Sequence, residues 1–170
     1  IAEGGESGGH VGDLTTMVLV PQVCDATTLP VLAAGGIADG RGIAAAFMLG
    51  ACGVQVGTRF LVAKECTISQ VYKDKVLKAK DTDTIVTGKR LGHPMRSLKN
   101  PFSREFAKLE YDTSITAEEL EKMGLGALRR AAREGDAKGG TFLAGQVSGM
   151  IKKEQTASEI ITEMFTEAEE

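Results

Sequence analysis

The residues best suited to chemistry lie in glycine-rich segments in the first third of the chain. The run Glu3–His10 is half glycine and ends on one of the two histidines of the sequence. Imidazole titrates near neutrality, and neighbouring glycines allow a flat ring to lie against the backbone. His10 is therefore a candidate proton donor beside a planar group. A histidine that only bonds loop backbone, or a glycine loop that only turns the chain, fits this spacing at least as well.

Two further segments have the pattern of phosphate-binding turns. Ala34–Gly40 follows an apolar run and precedes a helical pattern, the context in which backbone N–H groups and a helix N-terminus bind anions. Gly53–Phe60 lies at the end of the next strand signal. In a (β/α)₈ barrel the loops after strands 7 and 8 commonly bind phosphate together. Each segment alone could serve only as a tight turn, but the pair predicts a phosphate site.

Alternating strands and helices are expected to position these loops. One strand signal ends at Gly4, two more cover Val31–Ala34 and Val54–Val56, and helix signals lie near Pro21–Thr27 and Arg41–Leu49. This alternation is typical of parallel βαβ units. Pro21 fits a helix start, where its missing N–H has no partner to lose. Because three parallel strands cannot close a barrel, we expect partner strands upstream of Ile1.

After Phe60 the pattern changes to that of a smaller appended region. Residues 64–83 are charged with a helical pattern, Thr84–Thr87 fits a short strand, and the glycine and prolines of Leu91–Pro101 break regular structure. Two Thr-x-x-Glu sequences match the capping box that starts helices. They begin at Thr116 and Thr156, and they predict helices near Ala117–Glu134 and Ala157–Ala168, each with one apolar stripe.

Composition and charge exclude several classes of protein. The 170 residues are 42% hydrophobic with a net charge of −3, so the chain is globular and has no excess of basic residues for nucleic acid. No apolar run approaches the length of a membrane span, and the first residues do not have a signal-peptide pattern, so we expect a cytoplasmic protein. The three cysteines lack metal-ligand or disulfide spacing, which predicts reduced thiols and no metal site.

Four motifs together resemble the nitronate monooxygenase superfamily of FMN-binding barrels. They are EGGESGGH at 3–10, LAAGGIADG at 32–40, LGACGVQVGTRF at 49–60 and AGQVSG at 144–149. Two more segments, GHPMRSLKN at 92–100 and MGLGAL at 123–128, are most similar to the flavin-dependent enoyl-acyl-carrier-protein reductases of the FabK type. The resemblance covers essentially the whole chain. It implies an α/β fold, the C-terminal part of a (β/α)₈ TIM barrel with a small appended α-rich domain.

This resemblance implies a division of the chain and a set of site residues. Residues 1–63 would be the last βα units of the FMN-binding barrel, 64–150 the appended domain and its return to the active site, and 151–170 a C-terminal helix. His10 would be the catalytic histidine. The residues implied to bind FMN are Gly8 and Gly9 at the isoalloxazine, Gly35, Gly36, Gly57 and Thr58 at the phosphate with Ala34 nearby, and Gln146 on the returning segment.

The implied activity is reduction of a trans-2-enoyl-acyl-carrier-protein thioester by NADH or NADPH through FMN. A monovalent cation is implied as an activator, without assignable residues, and the implied partners are the N-terminal half of the same enzyme and the carrier protein. Homodimer formation stays open. One alternative is a nitronate monooxygenase, in which His10 would take a proton from a nitroalkane. Another is a non-catalytic phosphate-binding half-barrel.

His93 and the basic residues around it carry two interpretations each. His93 fits either a structural loop residue or a residue that borders the substrate tunnel. The four basic residues fit either a solvated face or an attractive surface for an acidic carrier protein. They are Lys89, Arg90, Arg96 and Lys99.

Overall fold

Two three-stranded sheets and seven helices organise the chain. The computed structural model describes all residues from Ile1 to Glu170. The strands are β1 (Ala2–Glu3), β2 (Gly9–His10), β3 (Leu32–Ala34), β4 (Gly53–Gln55), β5 (Thr84–Thr87) and β6 (Met95–Leu98). The helices are α1 (Thr16–Ala26), α2 (Gly40–Met48), α3 (Gln70–Lys78), α4 (Pro101–Leu109), α5 (Ala117–Gly124), α6 (Ala127–Arg129) and α7 (Ala157–Glu169). Short 3₁₀ turns cover Thr58–Val62 and Gln146–Met150, and a π-helical turn covers Arg130–Glu134.

The first sheet is parallel in the order β1-β3-β4, which confirms the predicted βαβ units. Helices α1 and α2 connect its strands, and α7 packs against α2. Small residues such as Ala33 fill the sheet, while Val20, Ile43 and Ile160 approach it from the three helices and are all almost fully buried. The sheet is covered by helices on one face, while Glu3, Leu32 and Gln55 of the three strands are exposed.

The second sheet is antiparallel, in the order β2-β6-β5. It joins the predicted barrel portion to the predicted appended region, which had no expected contact through a sheet. Strand β5 agrees with the prediction for Thr84–Thr87. Strand β2 lies in the loop after β1, and its His10 pairs with Met95 of β6. The appended region is rich in helix, as expected, but it is also tied by this sheet to the glycine loop of the barrel.

A second hydrophobic core stabilises the appended region. Tyr72 of α3 stacks edge-on against Phe142 at 4.9 Å between ring centroids. The Tyr72 hydroxyl donates to the Leu143 carbonyl at 2.7 Å, so α3 is fastened to the segment that returns toward the barrel. Burial raises the pKa of this phenol, which therefore stays a hydrogen-bond donor.

The prediction that Pro21 starts a helix is wrong. Helix α1 begins five residues earlier, at Thr16, because the Glu6 carboxylate accepts from the Thr16 backbone N–H at 3.0 Å and from its hydroxyl at 3.0 Å. Pro21 is therefore inside the helix, where it cannot donate to the Met17 carbonyl. Met17 is exposed, so water can bond that carbonyl.

The helix predicted over Ala117–Glu134 is broken in two. Helix α5 ends at Gly124, and Gly126 adopts the left-handed conformation with φ of 71° before α6 begins. Glycine adopts this conformation without the penalty that a side chain brings, which is why it commonly ends helices. The break turns Leu128 toward solvent, while Leu120 stays fully buried.

Both predicted capping boxes are present. The Thr116 and Thr156 hydroxyls each accept from the backbone N–H of the glutamate three residues later, and each glutamate accepts in return. In α7 only Ile160 and Met164 are buried, while Ile161 and Phe165 are half-exposed, so the apolar stripe is narrower than expected.

None of these helices combines the length and apolar character that crossing a bilayer requires.

Candidate functional site

A cavity of about 260 Å³ lies where the parallel strands end. Its lining comes from the loops after β1, β3 and β4 and from the segment that returns at residues 143–147. Loops beyond the carboxyl ends of parallel strands are the usual place of ligand sites in α/β proteins. Six residues of the predicted site line it together, namely Gly8, Ala34, Gly35, Gly36, Gly57 and Thr58.

The loops after β3 and β4 present backbone N–H groups without hydrogen-bond partners to this cavity. Gly35 and Gly36 have φ of 85° and 74°, a conformation that side chains rarely adopt. The N–H groups of Gly36, Ile37 and Gly57 donate to no backbone carbonyl. Unpaired amides in a turn of this kind form an anion-binding concavity.

The N-terminus of α2, which the sequence also suggested for the phosphate, has carboxylates of its own. Asp39 accepts from the Gly42 N–H at 3.3 Å, and Glu167 of α7 accepts from the Gly40 N–H at 3.0 Å. An anion site here therefore depends on the glycine turns rather than on the helix terminus.

The returning segment closes one side of the cavity. The backbone N–H of Gln146 donates to the Glu6 carbonyl, and that of Gly145 donates to the Thr58 hydroxyl, both at 2.9 Å. Gly8 lies so close to Ala144 that a Cβ at position 8 would stand 2.5 Å from the Ala144 carbonyl carbon. The two segments thus form a closely packed wall of backbone.

Three predicted site residues lie outside the lining of this cavity. Gln146 lines a smaller neighbouring hollow together with Glu6 and Arg96. Gly9, with φ of 87°, turns the chain between Gly8 and His10. His10 lines a different cavity altogether.

That second cavity holds about 460 Å³ and is mostly apolar. His10 and His93 both line it, with their ring centroids 6.3 Å apart and the rings nearly perpendicular. Of the two interpretations of His93, this position agrees with a residue that borders a tunnel. The apolar part of the lining consists of Leu91, Met95, Phe102, Phe106, Leu120 and Leu125.

A buried carboxylate fixes the loop that carries His93. Glu110, only 4% exposed, accepts from the backbone N–H groups of Gly88 at 3.2 Å and Arg90 at 2.8 Å. Carboxylates that accept from backbone amides make hydrogen bonds about twice as strong as neutral pairs. No sequence pattern around Glu110 indicates this role.

Three of the four basic residues around His93 are bound to backbone carbonyls. Arg90 donates to Asp112 and Ile115, Lys99 donates to Thr82, and Arg96 donates to Gly5. Burial lowers the pKa of Arg96, partly offset by the Glu6 carboxylate. These three side chains therefore hold loops in place, while Arg90 stays exposed and Lys99 half-buried, so both interpretations of the basic residues remain open.

Ser7 is a site residue that the sequence analysis missed. It lines the first cavity, is 8% exposed, and its hydroxyl is the one buried side-chain polar atom of the chain without a hydrogen-bond partner. A serine in a glycine loop has no distinctive sequence signal, so only its surroundings identify it.

The family model described as nitronate monooxygenase matches residues 1–167. The chain belongs to this family. Its members are FMN-dependent oxidoreductases, and the chain accordingly has the α/β fold of the C-terminal part of their TIM barrel.

Individual relatives carry two different names. A probable nitronate monooxygenase of Staphylococcus saprophyticus is 40% identical over 164 residues, which is 89% of this chain and 46% of the relative. The structure of FabK from Thermotoga maritima is 48% identical with a TM-score of 0.94, over 98% of this chain and 53% of that one. Nitroalkane oxidase from Streptomyces ansochromogenes is 31% identical with a TM-score of 0.81, over 98% of this chain and 50% of that one. The chain therefore spans about half the length of the relatives it matches.

The residues of the first cavity fit the flavin cofactor of this family. The free amides of Gly36, Ile37 and Gly57 suit a phosphate group. The buried Ser7 hydroxyl needs a polar partner that the chain does not provide. The absence of a Cβ at Gly8 lets the backbone of Ala144 and Gly145 pack directly against the loop that carries Ser7.

Proposed function

We propose that this chain supplies the flavin-binding C-terminal portion of an enzyme that reduces trans-2-enoyl-acyl-carrier-protein thioesters with FMN and NADH or NADPH. The observation that carries the proposal is that one glycine loop borders two cavities of different character. Gly8 lines the polar cavity after the strands, and His10, two residues further on, lines the apolar cavity. A fatty acyl thioester needs such an apolar cavity, because its chain has no polar group to bind.

The glycines of the first cavity would hold the cofactor. When bound, FMN supplies the hydride transfer from the nicotinamide to the β-carbon of the enoyl thioester. Backbone amides at Gly35, Gly36 and Gly57 would bind the phosphate, with Ala34 and Thr58 beside them. Gly8 would line the isoalloxazine, and Gly9, outside the cavity lining, would turn the chain from that wall to His10. Gln146, through its backbone bond to Glu6, helps to hold the wall that carries these glycines.

His10 would hold the proton for the reaction. The imidazole is exposed and borders the apolar cavity, where it can protonate the α-carbon or polarise the thioester carbonyl. The acyl chain would lie along Leu91, Phe106 and Leu125, and each methylene that it buries contributes about 0.8 kcal/mol to binding.

The outer edges of β1 and β4 would receive the rest of the barrel. In the parallel sheet each of these strands bonds to β3 alone. We propose that strands of the N-terminal half, which the longer relatives possess, pair with these edges.

The test is an assay of the full-length protein with crotonyl and longer enoyl thioesters. NADH or NADPH oxidation that depends on the enoyl substrate is expected, and nicotinamide oxidation unaffected by enoyl substrate would sink the assignment. His10→Ala should keep FMN bound, because the phosphate donors are backbone groups, but should lower kcat by about 10²–10⁴. His93→Ala, which removes an imidazole from the same cavity, is the matched comparison and should change kcat far less. Full activity in His10→Ala would remove His10 from the mechanism.

The second candidate is oxidation of a nitroalkane, favoured by the names of two relatives, a probable nitronate monooxygenase and a nitroalkane oxidase. His10 would then act as the base that removes a proton from the substrate carbon. Oxygen consumption with nitronate in the absence of nicotinamide would select this candidate. A full-length protein without a flavin spectrum would instead favour a non-catalytic phosphate-binding half-barrel.

A further inference from the structure

Ser7 has a buried hydroxyl for which the chain provides no partner. Its side-chain oxygen makes no hydrogen bond, although the residue is only 8% exposed. A buried polar group left without a partner costs about 1–3 kcal/mol. Since Ser7 lines the 260 Å³ cavity, a ligand in that cavity can supply the missing bond.

The position of Ser7 is fixed from both sides. Its own N–H donates to the Gly4 carbonyl at 3.1 Å, and the carbonyl of the preceding Glu6 accepts from Gln146 at 2.9 Å. The following Gly8 is in close contact with the backbone of Ala144. Ser7 therefore cannot move far to find another partner, and its hydroxyl is preorganised toward whatever occupies the cavity.

The loops around the cavity indicate which part of a flavin Ser7 contacts. Glu3, at the end of β1, and Glu6 both line the cavity, but the Glu6 carboxylate accepts from Thr16 and its side chain lies beside Gly36, so these charges do not separate Ser7 from the other loops. The separation comes from the free amides of Gly36, Ile37 and Gly57, which belong to the loops after β3 and β4. With the phosphate assigned to those loops, the Ser7 hydroxyl beside Gly8 is left for a polar atom of the ring.

Building on the proposed function, we infer that the Ser7 hydroxyl donates a hydrogen bond to a polar atom of the isoalloxazine ring and positions the ring against the Gly8 wall. Ser7 is a positioning residue in this role, and the phosphate is bound elsewhere in the cavity. Two consequences follow. Loss of the hydroxyl weakens flavin binding whether or not a phosphate is present, and it does not destabilise the flavin-free protein.

The experiment compares FMN and riboflavin, which share the ring but differ in the phosphate, on full-length wild type and Ser7→Ala. Dissociation constants come from quenching of flavin fluorescence. We expect Ser7→Ala to weaken both flavins by the same factor, about threefold to tenfold, as the net value of one hydrogen bond predicts. The midpoint of thermal unfolding without flavin should be unchanged or higher, since the substitution removes an unsatisfied polar group.

The matched control is Ser69→Ala. Its hydroxyl is half-buried and donates to the Ala131 carbonyl at 2.7 Å, away from the cavity. This variant should lose stability and keep both flavin affinities. For Ser7→Ala, unchanged affinities for both flavins overturn the inference. If the substitution weakens the binding of FMN but not of riboflavin, Ser7 contacts the phosphate and the proposed ring contact is overturned. A wild-type protein that binds neither flavin overturns the proposed function itself, and the inference with it.

Discussion

Replacing Gly8 with alanine should push apart the two backbone segments that form one wall of the cavity proposed to hold the flavin. A Cβ at this position would lie 2.5 Å from the carbonyl carbon of Ala144 and 2.6 Å from its Cα and from the Gly145 nitrogen. All three are backbone atoms, so no side-chain rotation can relieve the clash. The chain must move, and the bonds from Gln146 to Glu6 and from Gly145 to Thr58 lengthen as it does.

The magnitude follows from these two effects. Overpacking of this kind costs about 1–3 kcal/mol, and weakening one backbone hydrogen bond adds about 1 kcal/mol. For a domain of this size each kcal/mol lowers the thermal midpoint by about 2–4 °C. We therefore expect Gly8→Ala to lower the free energy of unfolding by about 2–4 kcal/mol and to weaken FMN binding.

Gly12→Ala is the matched control, because it makes the same chemical change in the same loop. A Cβ on Gly12 would meet no atom within 4 Å, and Gly12 does not have a positive φ. Restricting the unfolded chain at such a site contributes about 0.4–1 kcal/mol of stability. Urea unfolding and FMN titration of both variants provide the test. Equal stability and equal FMN affinity in the two would refute the argument that Gly8 is required for close packing.

Two further predictions concern carboxylates. Glu110→Gln should lower the free energy of unfolding by about 1.5–3 kcal/mol, because an amide keeps only one acceptor for the Gly88 and Arg90 N–H groups. It should also raise KM for the enoyl thioester more than it lowers kcat, and an unchanged KM would contradict the role of Glu110 in holding the cavity loop. Hydrogen bonds from the Thr156 backbone N–H and then from its hydroxyl lower the pKa of Glu159 from its ordinary value of 4.5. The stability that this carboxylate contributes is present above pH 4.5 and is lost as the pH falls through the lowered pKa. Glu159→Gln should therefore make the free energy of unfolding depend less on pH between pH 5 and pH 3. A variant as acid-sensitive as wild type would count against this.

Features encoded by neighbouring residues could be predicted from the sequence. The capping boxes at Thr116 and Thr156 need only a residue and its third neighbour, and both are present. The glycine turns at Gly35 and Gly57 follow apolar strands directly, so their meeting at one end of the sheet follows from the parallel βαβ rule. Six of the nine predicted site residues accordingly line one cavity.

Features that depend on distant contacts could not be predicted. Strand β2 is two residues long and exists because β6, more than eighty residues later, bonds to it. Glu6 determines where α1 begins, although it lies ten residues before Thr16. Without that contact, Pro21 was the one local signal for the start of the helix, and it predicted a start five residues too late. The role of Ser7 is inferred from the absence of a hydrogen-bond partner for its buried hydroxyl. Such an absence depends on the folded surroundings and has no sequence pattern.

The pairing of His10 with Met95 has a consequence for how substrate range can change in this family. The strand that presents His10 is hydrogen-bonded to the hairpin of β5 and β6, whose loop lines part of the apolar cavity. A mutation or graft that reshapes this hairpin therefore also shifts His10, the residue that we propose as the proton donor. Exchange of residues 84–98 between relatives would have to include a glycine loop at 8–12 that still pairs with β6. We therefore expect substitutions in the two segments to be correlated among relatives.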